Sequence, residues 1–346
     1  MRDAYNRDLC LEQRIQYTHN FLLAKAWYAA QIFPPPEACV RQLNTAIAWY
    51  IWHEEIFKVP LSTLQRPKER GGWGLIHVAA KSRALYLYLL KIQGQKTETL
   101  TAEWLRAWDL HKPSINPHNR DRIPANMEYI RILEMDSAYI APLGQKESIK
   151  AYKKLIYDIL HTLLQGTTEP ADMRITRLWP NTDWTNVWKN LHTAPVPGTT
   201  KAVWYRILHD IIPTIERLHK IGLSSTDRCR QCDKKDTIQH RLIECGNGET
   251  VWKWTRQKIA TMLRMDPRYI TPEWILRPHF KLWPPQSHRA ILWVMAQLVL
   301  YRVQQRSALT LHDYMDFLRL QKWKMYQKKT RGACVGNYLS IIDPTI

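Results

Sequence analysis

The sequence is short of acid. Its 31 Asp and Glu stand against 50 Lys and Arg, a formal net charge of +19. No two aspartates are adjacent anywhere in the 346 residues. Long apolar runs are also missing. The longest, AILWVMAQLVLY (290–301), is closed by Arg289 and Arg302, and a helix that crosses a bilayer needs about 20 apolar residues. Cysteine is scarce: there are six, of which Cys10, Cys39 and Cys334 follow no pairing pattern. This excludes a disulfide framework and points to a reducing compartment. The opening MRDAYNRDLCLEQRIQ is polar and charged, unlike a secretory signal. These absences lead to the expectation of a soluble, intracellular protein with no membrane partner.

The chain does hold ample core material. Hydrophobic residues make up 45% of it, among them 16 tryptophans, so it folds into packed domains, and its length allows two or more. The charge is concentrated. Residues 251–346 carry 16 Lys and Arg against 5 Asp and Glu, a surplus of 11 of the total 19. A surface of that kind attracts a polyanion, and nucleic acid, RNA or DNA, is the expected partner.

The other three cysteines lie within CRQCDKKDTIQHRLIEC (229–245). Cys229 and Cys232 form a C-x2-C pair, seven residues separate Cys232 from His240, and four more lead to Cys245. A tight knuckle turns both thiolates of such a pair toward one ion, and a histidine and cysteine about one helical turn apart complete a tetrahedron. Three sulfurs and one imidazole suit Zn²⁺. Four protein ligands leave no open position for catalysis, so a single structural zinc is expected. Around it stand Arg228, Arg230, Lys234, Lys235 and Arg241, either in contact with phosphate or simply solvated.

Two further stretches are candidate contacts to nucleic acid. LRLQKWKMYQKKTR (318–331) combines Arg319, Lys322, Lys324, Lys328, Lys329 and Arg331 with Trp323 and Tyr326. Cations displace the counterions of phosphates, and exposed aromatics stack on unpaired bases; the alternative is that the two rings pack against the preceding helix. RPKERGGWG (66–74) places Arg66, Lys68 and Arg70 beside glycines that let backbone approach a phosphate, although its spacing fits neither a P-loop nor a dinucleotide fingerprint. Catalytic constellations are lacking. His53-Glu54-Glu55 has no second histidine of a zincin helix, and no serine or cysteine nucleophile has an evident base.

The periodicity is helical. A first helix runs through Ile15 and Leu22 to Pro34, a second carries Val40, Leu43, Ile47 and Ile51, and another follows over 78–92. Trp49, Trp52 and Trp73 are expected to be core. Residues 93–145, with Pro113, Pro117, Pro124 and Pro142, read as a connector, and 146–166 as an amphipathic helix. Beyond Asp172 come a Trp184/Trp188 helix, TKAVWYRILHDII, a short helix opened by Pro213, the cysteine-rich stretch, and helices near 249–264, 287–306 and 311–329, the last capped by Thr310 and Asp313. No segment alternates as a strand does, so the class is mainly α.

These residues resemble a family. Trp184 and Trp188, then Trp204, Leu208 and His209, then Pro213, Thr214, Arg217 and Leu218, then the four candidate ligands and Trp252, are similar in order and spacing to the zinc-binding domain that follows the reverse transcriptase of LINE-type, non-LTR retrotransposons. The stretch from LAKAWYAAQIF to the turn at Arg66, Pro67, Gly71, Gly72 and Gly74 is similar to the thumb and linker of the same polyproteins. The resemblance implies a thumb/linker-like region at 1–95, a loop-rich connector at 96–145, a helical zinc-binding domain at 146–265 and basic helices at 266–346. It implies binding of template RNA or of single-stranded or target DNA, in a nuclear or cytoplasmic ribonucleoprotein. The departures matter as much. Polymerase palms hold two metal ions with paired aspartates, and no Asp-Asp pair is present. DPRYITPEW (266–274) lacks the lysine and paired acids of the endonuclease that follows the knuckle in some relatives. The expectation is a non-catalytic nucleic-acid-binding segment, with a zinc-stabilised protein-interaction scaffold, or a retroelement remnant without selected function, as alternatives.

Overall fold

A computed structural model describes residues 9–32, 35–52, 58–94, 157–158, 161, 180–280, 285–304 and 310–327. Among the described residues there is no strand; the only ladder is one isolated antiparallel bridge, Arg228 to Lys235. The protein is mainly α, as its periodicity predicts. The expected helix at 146–166 lies almost wholly outside the described residues, as does nearly all of the connector at 93–145.

The chain divides into two compact units. One comprises Arg14–Glu54 and Leu75–Glu169 with the first eight residues; the other comprises Leu9–Gln13, Glu55–Gly74 and Pro170–Ile346. In the first, Ala24–Ile32 and Glu37–Trp52 pack on Val78–Gly94, and Ile47, Tyr50, Ile51, Trp52, Val78, Ala84 and Tyr86 are buried. The expected first helix is broken. Leu11–Tyr17 passes into a π-helical turn at Thr18–Leu22 before Ala24–Ile32 begins, and the Thr18 hydroxyl donates to the Arg14 carbonyl, 2.9 Å, the kind of local bond that competes with a regular helix. Trp49 corrects an expectation as well. It is 50% exposed, because Ile47, Tyr50 and Ile51 occupy the inner face of its helix and Trp49 falls on the outer one.

In the second unit the central element is Pro285–Gln304. Every residue from Ala290 to Arg302 is buried. A helix apolar on all sides must be enclosed by others, and this one packs against Trp184–Thr193, Gly198–Leu208, His240–Glu244, Glu249–Leu263, Pro272–Leu276 and Leu311–Gln327. No described helix is long and apolar enough to cross a membrane. Some of the polar groups inside are paired, although both side-chain amide atoms of the buried Gln297 have no hydrogen-bond partner among the described residues. The Trp204 indole donates to the Leu276 carbonyl, 3.0 Å. Asn190 Nδ2 donates to the Pro278 carbonyl, 2.7 Å, while its Oδ1 lies 3.1 Å from His288 Nε2.

Several helix starts follow the capping rules. Asp183 accepts from Asn186 N, and Thr310 from Asp313 N at 3.1 Å, with the Thr310 hydroxyl donating back to the Asp313 carboxylate at 2.6 Å. One start differs from expectation. Pro213 does not open its helix: Thr214 caps Ile215–Lys220 by accepting from Arg217 N, and Pro213 precedes the cap.

Candidate metal centre

The cysteine-rich stretch folds as a knuckle followed by one π-helical turn. Cys229 N donates to the Lys234 carbonyl, 2.7 Å, and Asp233 N to the Cys229 carbonyl, 3.0 Å. Asp233 takes a left-handed φ of 56°, which short polar side chains tolerate, and it is held there by Arg228, whose guanidinium reaches the Asp233 carbonyl at 2.9 Å. His240 begins the His240–Glu244 turn, its amide capped by Thr237 Oγ1 at 3.0 Å. Cys245 follows, its N–H bonded to the His240 carbonyl at 2.8 Å.

These backbones bring Cys229, Cys232, His240 and Cys245 together, with all four ligand atoms within 4.8 Å of one another. Cys245 Sγ lies 4.0 Å from the sulfurs of Cys229 and of Cys232, and Cys232 Sγ lies 3.1 Å from His240 Nε2. A tetrahedral zinc with bonds of about 2.3 Å to sulfur and about 2.0 Å to nitrogen puts its ligands roughly 3.5–3.8 Å apart. A disulfide requires about 2.05 Å between sulfurs, and these cysteines are free. The donor set and its edges fit one Zn²⁺. The Lys234 backbone bonds to Cys232 and lowers its thiol pKa, whereas burial pushes that of Cys245 up; three clustered sulfurs need a cation to stay ionised side by side.

The shell around the ligands is built from distant parts of the unit. Asp236 is 2% exposed; it accepts from Ile215 N at 2.7 Å and from Arg241 Nε at 3.2 Å, and Arg241 Nη1 continues to the Pro213 carbonyl at 2.9 Å. On the other side Arg302, 4% exposed, donates to the carbonyls of Arg241 at 2.8 Å, Leu242 at 3.3 Å and Cys245 at 3.5 Å. The Trp252 indole also donates to the Leu242 carbonyl, 2.8 Å. A charged donor thus closes the carbonyl end of the ligand-bearing turn. Reading the sequence alone overlooks Arg302, and its only signal there is a cation at the end of the longest apolar run.

The candidate contact residues fall into groups. Arg228, Arg230, Lys234 and Lys235 are exposed on the knuckle. Arg241 instead ties the buried Asp236 to Pro213. Arg319 and Lys324 are exposed on Leu311–Gln327, with Lys322 half-buried between them. Trp323 is 57% exposed, and Arg319 pairs with Asp316 at 2.9 Å. Lys328, Lys329 and Arg331 lie outside the described residues.

The centre of the RPKERGGWG turn is internal, whereas Pro67 to Arg70 and Gly74 are exposed. Gly71, Gly72 and Trp73 are buried. The Tyr205 hydroxyl donates to the Gly71 carbonyl at 2.8 Å, and Trp73 meets His192 and Tyr205 edge-on, with centroids at 4.7 and 5.6 Å. A Cβ on Gly72 would stand 1.9 Å from the Arg66 carbonyl oxygen. The glycines therefore serve close packing of backbone on backbone and on the Trp188 ring. Arg66 is half-buried, Lys68 pairs with Glu12 at 2.9 Å, and Arg70 is exposed.

Residues 174–252 match the family model described as zinc-binding in reverse transcriptase. The match covers the Trp184 helix, all four ligands and Trp252, so this region of the chain is similar to a zinc-binding domain associated with reverse transcriptases. No curated protein matches the chain.

Proposed function

We propose that the chain is a non-catalytic nucleic-acid-binding segment of a LINE-type, non-LTR retrotransposon reverse transcriptase, or a copy derived from one, in which a single zinc holds a basic knuckle rigid. The observation that carries this reading is the family match over residues 174–252, centred on a closed Cys3His cluster. The exposed cations at Arg228, Arg230, Lys234 and Lys235 support it, as does the surplus of positive charge in the last 96 residues.

Zinc in this reading does no chemistry. It fixes the loop so that its cations meet a phosphate backbone without first paying the entropy of ordering it. Affinity then comes from phosphates, and selectivity from the shape of RNA or of unpaired strands. The non-catalytic part of the proposal rests on the lack of an Asp-Asp pair. A nuclear or cytoplasmic ribonucleoprotein is the setting it implies.

A second reading has its own support. Phe21, Tyr28 and Trp49 in the first unit are 63%, 74% and 50% exposed, as anchors of a protein interface would be. Binding of the zinc-loaded chain to a stem–loop RNA, a single-stranded DNA and a duplex DNA, together with primer extension on an RNA template, separates the readings. Tight binding without nucleotide incorporation is expected. Incorporation would overturn the non-catalytic assignment, and lack of binding at low salt would favour the scaffold.

A further inference from the structure

Beside the knuckle, the helix Ile215–Lys220 ends in a turn whose construction is unusual for what it displays. Leu223 N donates to the Leu218 carbonyl at 2.8 Å, Gly222 N to that of His219 at 3.0 Å, and Ile221 N to that of Arg217 at 3.3 Å. Gly222 supplies the left-handed φ of 75°. In this type of helix end the apolar residue after the glycine ordinarily folds back on the last helical turn. Here it does not: Leu223 is 61% exposed and Ile221 47%.

The turn is held on both sides. The Ser224 carbonyl lies 2.9 Å from His219 Nδ1, the Ser224 hydroxyl donates to the Thr226 carbonyl at 2.7 Å, and Arg228 N donates to Thr226 Oγ1 at 3.1 Å. Glu216 bridges Lys220 at 2.8 Å and Lys235 at 3.2 Å, which fastens the helix to the knuckle. Two apolar side chains therefore project from a rigid tip that stands next to a metal-stapled loop. Residues 216–235 include six cations besides the histidine, Arg217, Lys220, Arg228, Arg230, Lys234 and Lys235, against three acids, Glu216, Asp227 and Asp233. Glu216 pairs with Lys220 and Lys235 and Asp233 with Arg228, while Arg230 and Lys234 are exposed on the knuckle.

We infer that Ile221 and Leu223 form a wedge that enters between adjacent stacked bases of a nucleic acid while the flanking cations hold its phosphates. The inference rests on the nucleic-acid-binding reading and gives it a contact point. Apolar side chains inserted at a base step unstack it and kink the strand, and cations on either side offset the cost through backbone contacts. A rigid tip suits this task, since a mobile one would lose the ordering entropy at each insertion. An apolar protein groove would not call for the exposed cations Arg230 and Lys234 on the adjoining knuckle, and this charge complementarity decides in favour of nucleic acid.

The test uses the zinc-loaded full chain and a duplex carrying a fluorescent adenine analogue that brightens when unstacked. The wild type is compared with Ile221→Ala/Leu223→Ala and with Arg230→Ala/Lys234→Ala. Binding by the wild type should brighten the probe. The apolar double variant should lose that signal and bind about tenfold more weakly with an unchanged salt dependence. The cation variant should bind more weakly with a shallower salt dependence. If the apolar variant binds and brightens the probe as the wild type does, the wedge is overturned and nucleic-acid binding stands. If the wild type binds a stem–loop RNA or single-stranded DNA but not this duplex, the wedge is overturned and nucleic-acid binding stands; if it binds none of the three, the functional reading falls and the wedge with it. If sedimentation shows a dimer that Ile221→Ala/Leu223→Ala dissolves, the tip is instead a contact between copies. Circular dichroism of both variants, whose substituted residues are exposed, verifies that the fold is retained.

Discussion

Arg302 and Arg241 are joined across 61 positions of sequence by a 2.8 Å hydrogen bond from the Arg302 guanidinium to the Arg241 carbonyl. The bond links the central buried helix to the turn that carries His240. Replacing Arg302 with Met removes the guanidinium donor from the carbonyls of Arg241, Leu242 and Cys245, of which Leu242 keeps the Trp252 indole and Cys245 keeps Gly248 N. The expected loss is about 3 kcal/mol, with weaker zinc retention in a competitive chelator titration. Gly248→Ala should act similarly, since its Cβ would meet Arg302 Nη1 at 1.8 Å. Equal melting and equal zinc affinity in both variants would show that the guanidinium does not support the site.

Zinc removal should melt the second unit and spare the first. The four ligands join the exposed knuckle to the turn that packs on the central buried helix, so metal binding and folding are coupled. Cys229→Ser, Cys232→Ser and chelation should each lower the melting temperature of one transition. A melting curve unchanged by all three would contradict a structural zinc.

The ligand set was legible in the sequence because its information is local: C-x2-C and H-x4-C each fit within a turn. The same holds for the Thr310–Asp313 cap and for the buried run 290–301, whose all-round apolarity suits enclosure by other helices. Long-range partners were not legible. Nothing near Arg302 in sequence says which carbonyls it meets, and the pairing of Arg241 with Asp236 depends on how the helix at Ile215 docks. Trp49 went astray for a related reason: a tryptophan's size argues for burial, but its phase on Glu37–Trp52 turns it outward. The π-helical turn at Thr18 coincides with a side-chain bond that periodicity does not report.

The glycine turn gives a graded prediction. Gly72→Ala would force a Cβ to within 1.9 Å of the Arg66 carbonyl oxygen, and Gly71→Ala combines a φ of 77° with a contact of 2.7 Å to the Trp188 ring. Each should cost about 2–4 kcal/mol. Gly74→Ala has open space and only a φ of 66°, so about 1 kcal/mol is expected. Denaturant midpoints check the order. A harmless Gly72→Ala would contradict the close packing.

Acid should weaken the second unit through its buried histidines. Burial holds His192 and His209 down to about 4, against about 6.5 in the unfolded chain. Between these values the unfolded state binds more protons, so stability rises with pH and is lost as pH falls through the window. Relative to the wild type, His209→Gln should show a shallower fall in melting temperature between about pH 7 and about pH 5. Parallel curves would place the acid sensitivity elsewhere.

The most direct test of the central claim is the salt dependence of binding by the zinc-loaded chain, measured by fluorescence anisotropy on a stem–loop RNA with and without Lys234→Ala/Lys235→Ala. Phosphate contacts make log Kobs fall linearly with log salt, by about 0.9 or slightly less for each phosphate neutralised. The account predicts a steep slope that becomes shallower by roughly 1 to 2 in the double variant. A flat dependence, or a slope that the knuckle lysines leave untouched, would contradict a zinc-fixed knuckle that grips nucleic acid.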